Sequence, residues 1–172
     1  MEYILSLIIG LFSGFVSSYL FLYLYIQKKK PKIEISEHIC KKEVDGKMNY
    51  FFKYVNKTGK ELFDIRVELK IYKPFGDTKG QNLKAVDIEL ADDYFQYMQE
   101  EKKEDRFNLH AMRVRTEADL DKEMEDPSSF LGLTISARHS LSGLPKVFSQ
   151  EFHSKDLITM KHFQSGNSLD VG

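Results

Sequence analysis

The chain of 172 residues has one cysteine. Cys40 cannot form an intramolecular disulfide, so a secreted domain held by disulfides is excluded. Charge is absent from Tyr3 to Ile26, 24 consecutive residues, and no Lys or Arg precedes them. There is no internal repeat, low-complexity tract or second domain boundary. The five histidines (His38, His110, His139, His153 and His162) form no one-turn pair of a helical zinc site, and no Cys pair supplements them. No glycine-rich loop would cradle phosphate, since Gly76-Asp77-Thr78-Lys79-Gly80 reads as a turn between strands. No basic stripe or glycine-flanked aromatic motif points to nucleic acid. These absences leave no metal, cofactor or nucleic acid to expect.

What the chain does have is the uncharged run itself, ending in a basic cluster at 28–32, KKKPK. At ~1.5 Å per residue the run is ~36 Å long, enough to cross a bilayer core of ~30 Å with some tilt. A cleaved signal peptide fits poorly. It needs a basic start, a shorter apolar stretch and a small-residue cleavage site. Here the start is Met1-Glu2 and the run ends in Tyr23, Leu24, Tyr25 and Ile26. The reading is an uncleaved anchor over 1–27 and a basic juxtamembrane tether over 28–32. Lys28, Lys29, Lys30 and Lys32 all lie on the C-terminal side. The positive-inside rule therefore puts the N-terminus outside and the following domain in the cytoplasm, at the cell membrane. Tyr3 at one end and Tyr19, Tyr23 and Tyr25 at the other suit the two headgroup layers. The same lysines attract anionic lipid at ~1 kcal/mol each. Asn56-Lys57-Thr58 is a glycosylation triplet that matters only in a secretory lumen, and it reads as chance.

Residues 33–172 remain as one domain, with 21 Lys and Arg against 25 Asp and Glu, a formal charge of −4. It reads as mainly β. At 62–72 Phe63, Ile65, Val67, Leu69 and Ile71 alternate with Asp64, Arg66, Glu68 and Lys70, the period of a half-buried antiparallel strand. Strands are also expected at 33–39, 48–55, 85–90, 107–114, 131–138, 146–153 and 156–160, with turns at 44–47 and 56–60. Seven or eight short strands predict a sandwich. Two segments break the pattern. Asp92–Asp105 has helical spacing of Tyr94, Tyr97 and Met98, then a charge run. Thr116-Glu117-Ala118-Asp119 resembles an N-cap and predicts a short helix ending before Pro127.

Catalysis finds little support. His139-Ser140 lies in a turn after a strand, without nucleophile-elbow spacing. Asp92/Asp93 and Glu100/Glu101 belong to solvated charge runs. The anchor carries a pattern of its own. Ser6, Gly10, Gly14 and Ser18 recur every four residues, a groove that lets two helices approach closely. Ser13 and Ser17 add a second small-residue edge, suiting an assembly larger than a dimer. The stripe lacks the polar lining of a stable water pore.

A membrane helix, a Lys-Pro-Lys tether and a strand series, in that order, resemble the second membrane helix and cytoplasmic immunoglobulin-like domain of inward-rectifier potassium channels. Pro31-Lys32-Ile33 and Ser36 look like that family's tether and first strand. Asp45-Gly46-Lys47 followed by Phe52-Lys53-Tyr54-Val55-Asn56 looks like its next hairpin. Thr78-Lys79-Gly80 and Asp87-Ile88-Glu89-Leu90 are similar to its turn and following strand. Phe152, Asp156, Leu157 and Phe163 match its closing positions, although Met160 stands where the family has Gly. The resemblance covers about 30–163 and implies a membrane-proximal immunoglobulin-like sandwich, four-fold association and anionic-lipid contact. It does not carry over potassium conduction, because the outer helix, pore helix and filter loop are missing. The expectation is a non-enzymatic single-pass protein, a homo-oligomer (dimer or tetramer) acting as sensor, adaptor or interaction module. Its partners are the lipid bilayer and a protein or small-molecule signal. The alternative is an effector that permeabilises or depolarises the membrane when the sandwich is triggered, for example in antiviral defence.

Overall fold

A computed structural model of the chain describes residues 2–76, 82–101 and 107–172. The first helix, α1, runs Glu2–Lys28, and none of its residues is buried. Its leucines, isoleucines and phenylalanines have no protein cover, as the uncharged run predicts. Two five-stranded sheets follow. One contains β1 (Ile33–Ile35), β2 (Ile39–Val44), β3 (Lys47–Asn56), β7 (Ala111–Thr116) and β10 (Ile158–Thr159). The other contains β4 (Leu62–Phe75), β5 (Asn82–Ile88), β6 (Tyr94–Met98), β8 (Phe130–His139) and β9 (Pro145–Phe152). All pairings are antiparallel except β10 on β2. The chain is thus mainly β, an apolar helix followed by a sandwich, as expected. The only other helix among the described residues is α2, Leu120–Glu123, with a 3-10 turn at Lys155–Leu157.

β4 carries the alternation that made it legible. Ile65, Val67, Leu69 and Ile71 are buried against Leu131, Leu133 and Ile135 of β8. The interior is closed from the other sheet by Ile39, Phe52, Tyr54 and Val114. Phe52 of β3 meets Phe152 of β9 edge-on, with centroids 5.5 Å apart, a favourable aromatic geometry.

Several boundaries differ from the sequence reading, each for a local reason. The strand expected at 33–39 is split into β1 and β2, which share one edge of β3. Ile35 faces Tyr54 and Cys40 faces Phe51, so four residues lie opposite two. This bulge buries Ser36, whose N–H donates to Lys53 O at 2.9 Å. In β4 the register shifts between Phe63 and Arg66, and Asp64 takes a left-handed φ of 52°. Leu62 therefore holds the core position that alternation assigned to Phe63.

The helical reading of Asp92–Asp105 is wrong where residues are described. Tyr94–Met98 is β6, paired to β4 through Phe95↔Ile65 and Tyr97↔Phe63. The unpaired edge of β4 outweighs a helical spacing that five residues satisfy in either period. Residues 102–105 of that reading lie outside the described residues, as does Thr78-Lys79-Gly80. The strand at 107–114 is displaced to β7, the one at 85–90 begins at Asn82, and 156–160 is shortened to β10, with the 3-10 turn taking its first two residues. The helix cap is Asp119, which accepts from Lys122 N–H, not Thr116. Thr116 instead ends β7, donating its hydroxyl to Glu89 O at 2.6 Å.

The outer face of β3 is covered by the chain's last residues. Lys53 is 1% exposed. Its ammonium donates to Gln164 O, Gly166 O and Ser168 O at 2.7, 2.7 and 2.6 Å. Burial, aided by the Arg113 and Lys57 charges, pulls its pKa down to about 8. Three carbonyl acceptors oppose that trend by giving the ammonium its full set of partners. Arg113, opposite Lys53 on β7, donates to Phe163 O at 3.1 Å. Ser36 Oγ donates to Leu169 O at 2.7 Å.

Two expectations follow. Leu69→Asp places an uncompensated charge in the core and costs several kcal/mol, whereas Glu68→Lys on the solvent side stays within about 0.5 kcal/mol. Urea unfolding of both variants checks this, and equal tolerance would refute the register. Lys53→Met leaves three carbonyls facing an apolar tip. It should cost about 2–5 kcal/mol and raise amide exchange in 163–171 ahead of the rest of the sandwich.

Candidate functional site: the junction of helix and sandwich

The basic tether is not a free linker. Lys29 N–H closes a turn on Ile26 O at 3.0 Å, and Pro31 is buried. Lys32 is held through its backbone: its N–H donates to Thr58 Oγ1 at 2.7 Å, and its carbonyl accepts from Lys57 N–H at 2.8 Å. Thr58 N–H in turn donates to Asn56 Oδ1 at 2.8 Å. Asn56 Nδ2 donates to Lys60 O and Gln99 O at 3.0 and 2.8 Å. So Asn56 and Thr58, the first and last residues of the glycosylation triplet, are both structural. Asn56 is 0% exposed and its amide is fully engaged, which leaves no acceptor for a sugar in the folded domain.

The turn between β8 and β9 reaches the helix end directly. Ser142 Oγ donates to Lys29 O at 2.9 Å. That hydroxyl is placed by His139, whose Nδ1 accepts from Leu141 N–H at 3.1 Å and Ser142 N–H at 3.3 Å. The left-handed Gly143, at φ 67°, closes the turn by donating its N–H to His139 O. Ser140 N–H donates to Glu61 O. His139 is thus a buried acceptor that shapes a loop, and Ser140 next to it has a backbone role.

The lysines themselves remain at the surface. Lys28 and Lys30 are exposed, Lys29 is half-buried, and Lys32 forms an exposed ion pair with Glu34 at 3.6 Å. Such a pair contributes little to stability. On α1, Ser6, Gly10, Gly14 and Ser18 stay on one stripe. A Cβ added at Gly10 or Gly14 would meet nothing within 4 Å. Ser13 turns inward on its own helix, donating to Gly10 O at 2.9 Å. The structure therefore joins the lysines to the sandwich loops and leaves the small-residue stripe open. Sequence reasoning recognised Lys28–Lys32 by charge but missed Ser142, Thr58 and Asn56. The glycosylation triplet was the one visible mark at that place.

Elsewhere, a shallow cleft of about 350 Å³ is lined by Lys41, Lys47, Met48, Tyr50, Glu117 and Asp119. Its charges are already matched: Lys41 pairs with Asp121, Lys47 with Glu117 at 2.7 Å, and Tyr50 OH donates to Asp121 Oδ2 at 2.6 Å. It ties α2 to β3. Among the described residues no three His, Cys, Asp or Glu side chains group as a metal site would.

Burial, with the Lys29 charge, holds His139 below its usual 6.5. The unfolded chain takes up this proton at higher pH than the folded one. The contribution is therefore complete above 6.5 and is lost as pH falls through the lower folded value. Protonation also removes the Nδ1 acceptor. Protection of the Leu141 and Ser142 amides should drop on acidification below pH 6.5 while β8 stays protected. In His139→Asn, which keeps an acceptor but does not titrate, that drop should vanish. A drop of equal size there would exclude His139 as its source.

No family model matches the chain, and no curated protein matches it. Among solved structures, it is similar to the crystal structure of Spo0M, a sporulation control protein from Bacillus subtilis, at 10% identity and a TM-score of 0.38. That match covers 72% of this chain, which spans about half (48%) of the Spo0M chain.

Proposed function

We propose that the chain is a non-enzymatic single-pass membrane protein whose cytoplasmic sandwich works as an oligomerising sensor, adaptor or interaction module. The observation that carries this reading is the absence of slack at the junction. The tether that follows α1 is hydrogen-bonded to two separate loops of the sandwich, at Lys29 by Ser142 and at Lys32 by Thr58. A module that merely needed tethering would be served by any flexible linker. A module whose orientation must be communicated to its helix needs this stitched connection. α1 is long and apolar enough to span a bilayer, and the lysines at its end favour the domain on the cytoplasmic side. The open stripe at Gly10 and Gly14 supports self-association, as a dimer or as the tetramer that the inward-rectifier resemblance implies. The signal received by the sandwich is a protein or a small molecule.

Two measurements test this. A reporter active only in the cytoplasm, fused at the C-terminus, should be active, and activity of an exported reporter alone would reverse the topology. Gly10→Ile with Gly14→Ile keeps the span apolar and should weaken crosslinking in membranes at least several-fold. Overexpression of the unaltered chain should leave the membrane potential intact. Depolarisation that the double variant abolishes would favour the membrane-permeabilising effector instead.

A further inference from the structure

The end of the sandwich beside α1 presents an apolar side chain that no packing explains. Leu141, at the tip of the β8–β9 turn, is 61% exposed. The turn is too short and too tightly bonded for it to fold back. His139 Nδ1 holds the N–H groups of Leu141 and Ser142, and Gly143 N–H closes on His139 O at 2.8 Å. The next residue, Ser142, touches Lys29 O at 2.9 Å. Lys29 is the third residue after Ile26, where the uncharged run ends. A helix that spans a bilayer over Tyr3–Ile26 has Lys29 in the headgroup layer. Leu141 is then held at the same level, within a residue or two of chain. Lys28 and Lys30 are exposed on the same helix end. An apolar tip flanked by lysines is the composition of a surface that lies in the membrane interface.

We propose that this end of the sandwich is a second membrane contact, in which Leu141 inserts at the boundary of headgroups and acyl chains of the leaflet that α1 leaves. The proposal rests on the reading of α1 as a membrane span. The occupant is that same bilayer, because the hydrogen bond from Ser142 to Lys29 leaves no room for another partner to separate the loop from it. Two attachment points in place of one set the angle of the sandwich to the membrane, which a lone helix would leave free. The geometry also gives His139 a second consequence. Losing its acceptor on protonation would release the loop that holds Leu141 in place.

The chain has no tryptophan, so a single introduced one reports its own surroundings. The full chain is reconstituted in vesicles of zwitterionic and anionic phospholipid brominated on the acyl chains. Three variants are compared: Leu141→Trp, Phe12→Trp in the middle of α1, and Glu43→Trp, exposed at the far end of β2. Bromine should quench Phe12→Trp strongly and Glu43→Trp hardly at all. The expected result is quenching of Leu141→Trp at least threefold above that of Glu43→Trp, with blue-shifted emission. Quenching of Leu141→Trp no greater than of Glu43→Trp, with Phe12→Trp fully quenched, overturns the insertion and leaves the membrane span standing. An unquenched Phe12→Trp overturns both. As a check on folding, the variants should keep the urea midpoint of the parent chain, since none of the three replaced side chains is buried.

Discussion

The buried ammonium of Lys53 sets a condition that much of the domain must meet. A charge on the outer face of a central strand can stay charged only if it is covered by acceptors, and a strand's own neighbours have none to spare. The last residues of the chain supply them, as three carbonyls from Gln164, Gly166 and Ser168. With that segment in place β3 is covered on both sides: Phe52 and Tyr54 face the opposite sheet, while Lys53 faces the terminal segment. The same segment is tied to β7 through Arg113 and to the β1–β2 bulge through Ser36. The start and the end of the domain are thus joined directly through Ser36 and Leu169. The order of β1, β3 and β7 in the first sheet is braced from outside by a stretch with almost no regular structure.

The parts of the fold that could be read from sequence were those where side-chain pattern and backbone pairing agree. β4 was legible because its charges alternate with branched apolar residues over most of its length. α1 was legible because nothing else keeps 24 residues free of charge. Misreadings arose where pairing overrides pattern. Period two fails at Asp64, where an extra residue moves Leu62 into the core, and at Ser36, where two extra residues divide one strand. β6 was mistaken for a helix because its partner edge on β4 is invisible locally. Lys53 could not be recognised as buried at all: a lysine within an aromatic run reads as the solvent side, and its acceptors lie more than 100 residues away.

The junction was half legible for the same reason. Lysines declare themselves by charge, and their position after an apolar run fixes their level. Their attachment depends on Ser142, Thr58 and Asn56, ordinary loop residues until the loops converge. His139 illustrates the limit most clearly. Beside Ser140 it invites a catalytic reading, yet its ring is turned to its own backbone, where it replaces a missing strand partner. A polar residue in a turn is more often answering its neighbours' N–H groups than attacking a substrate.

A joint without slack makes the sandwich a lever. β4 spans 14 residues, and at about 3.3 Å per residue its far end lies roughly 45 Å from the loops that hold the end of α1. A change of about 10° in the tilt of α1, small within the range membrane helices adopt, would carry that far end sideways by roughly 8 Å. The reverse also holds. Whatever pulls on the far end of β4 acts on the helix with a long arm, so a weak force there becomes a sizeable torque at α1.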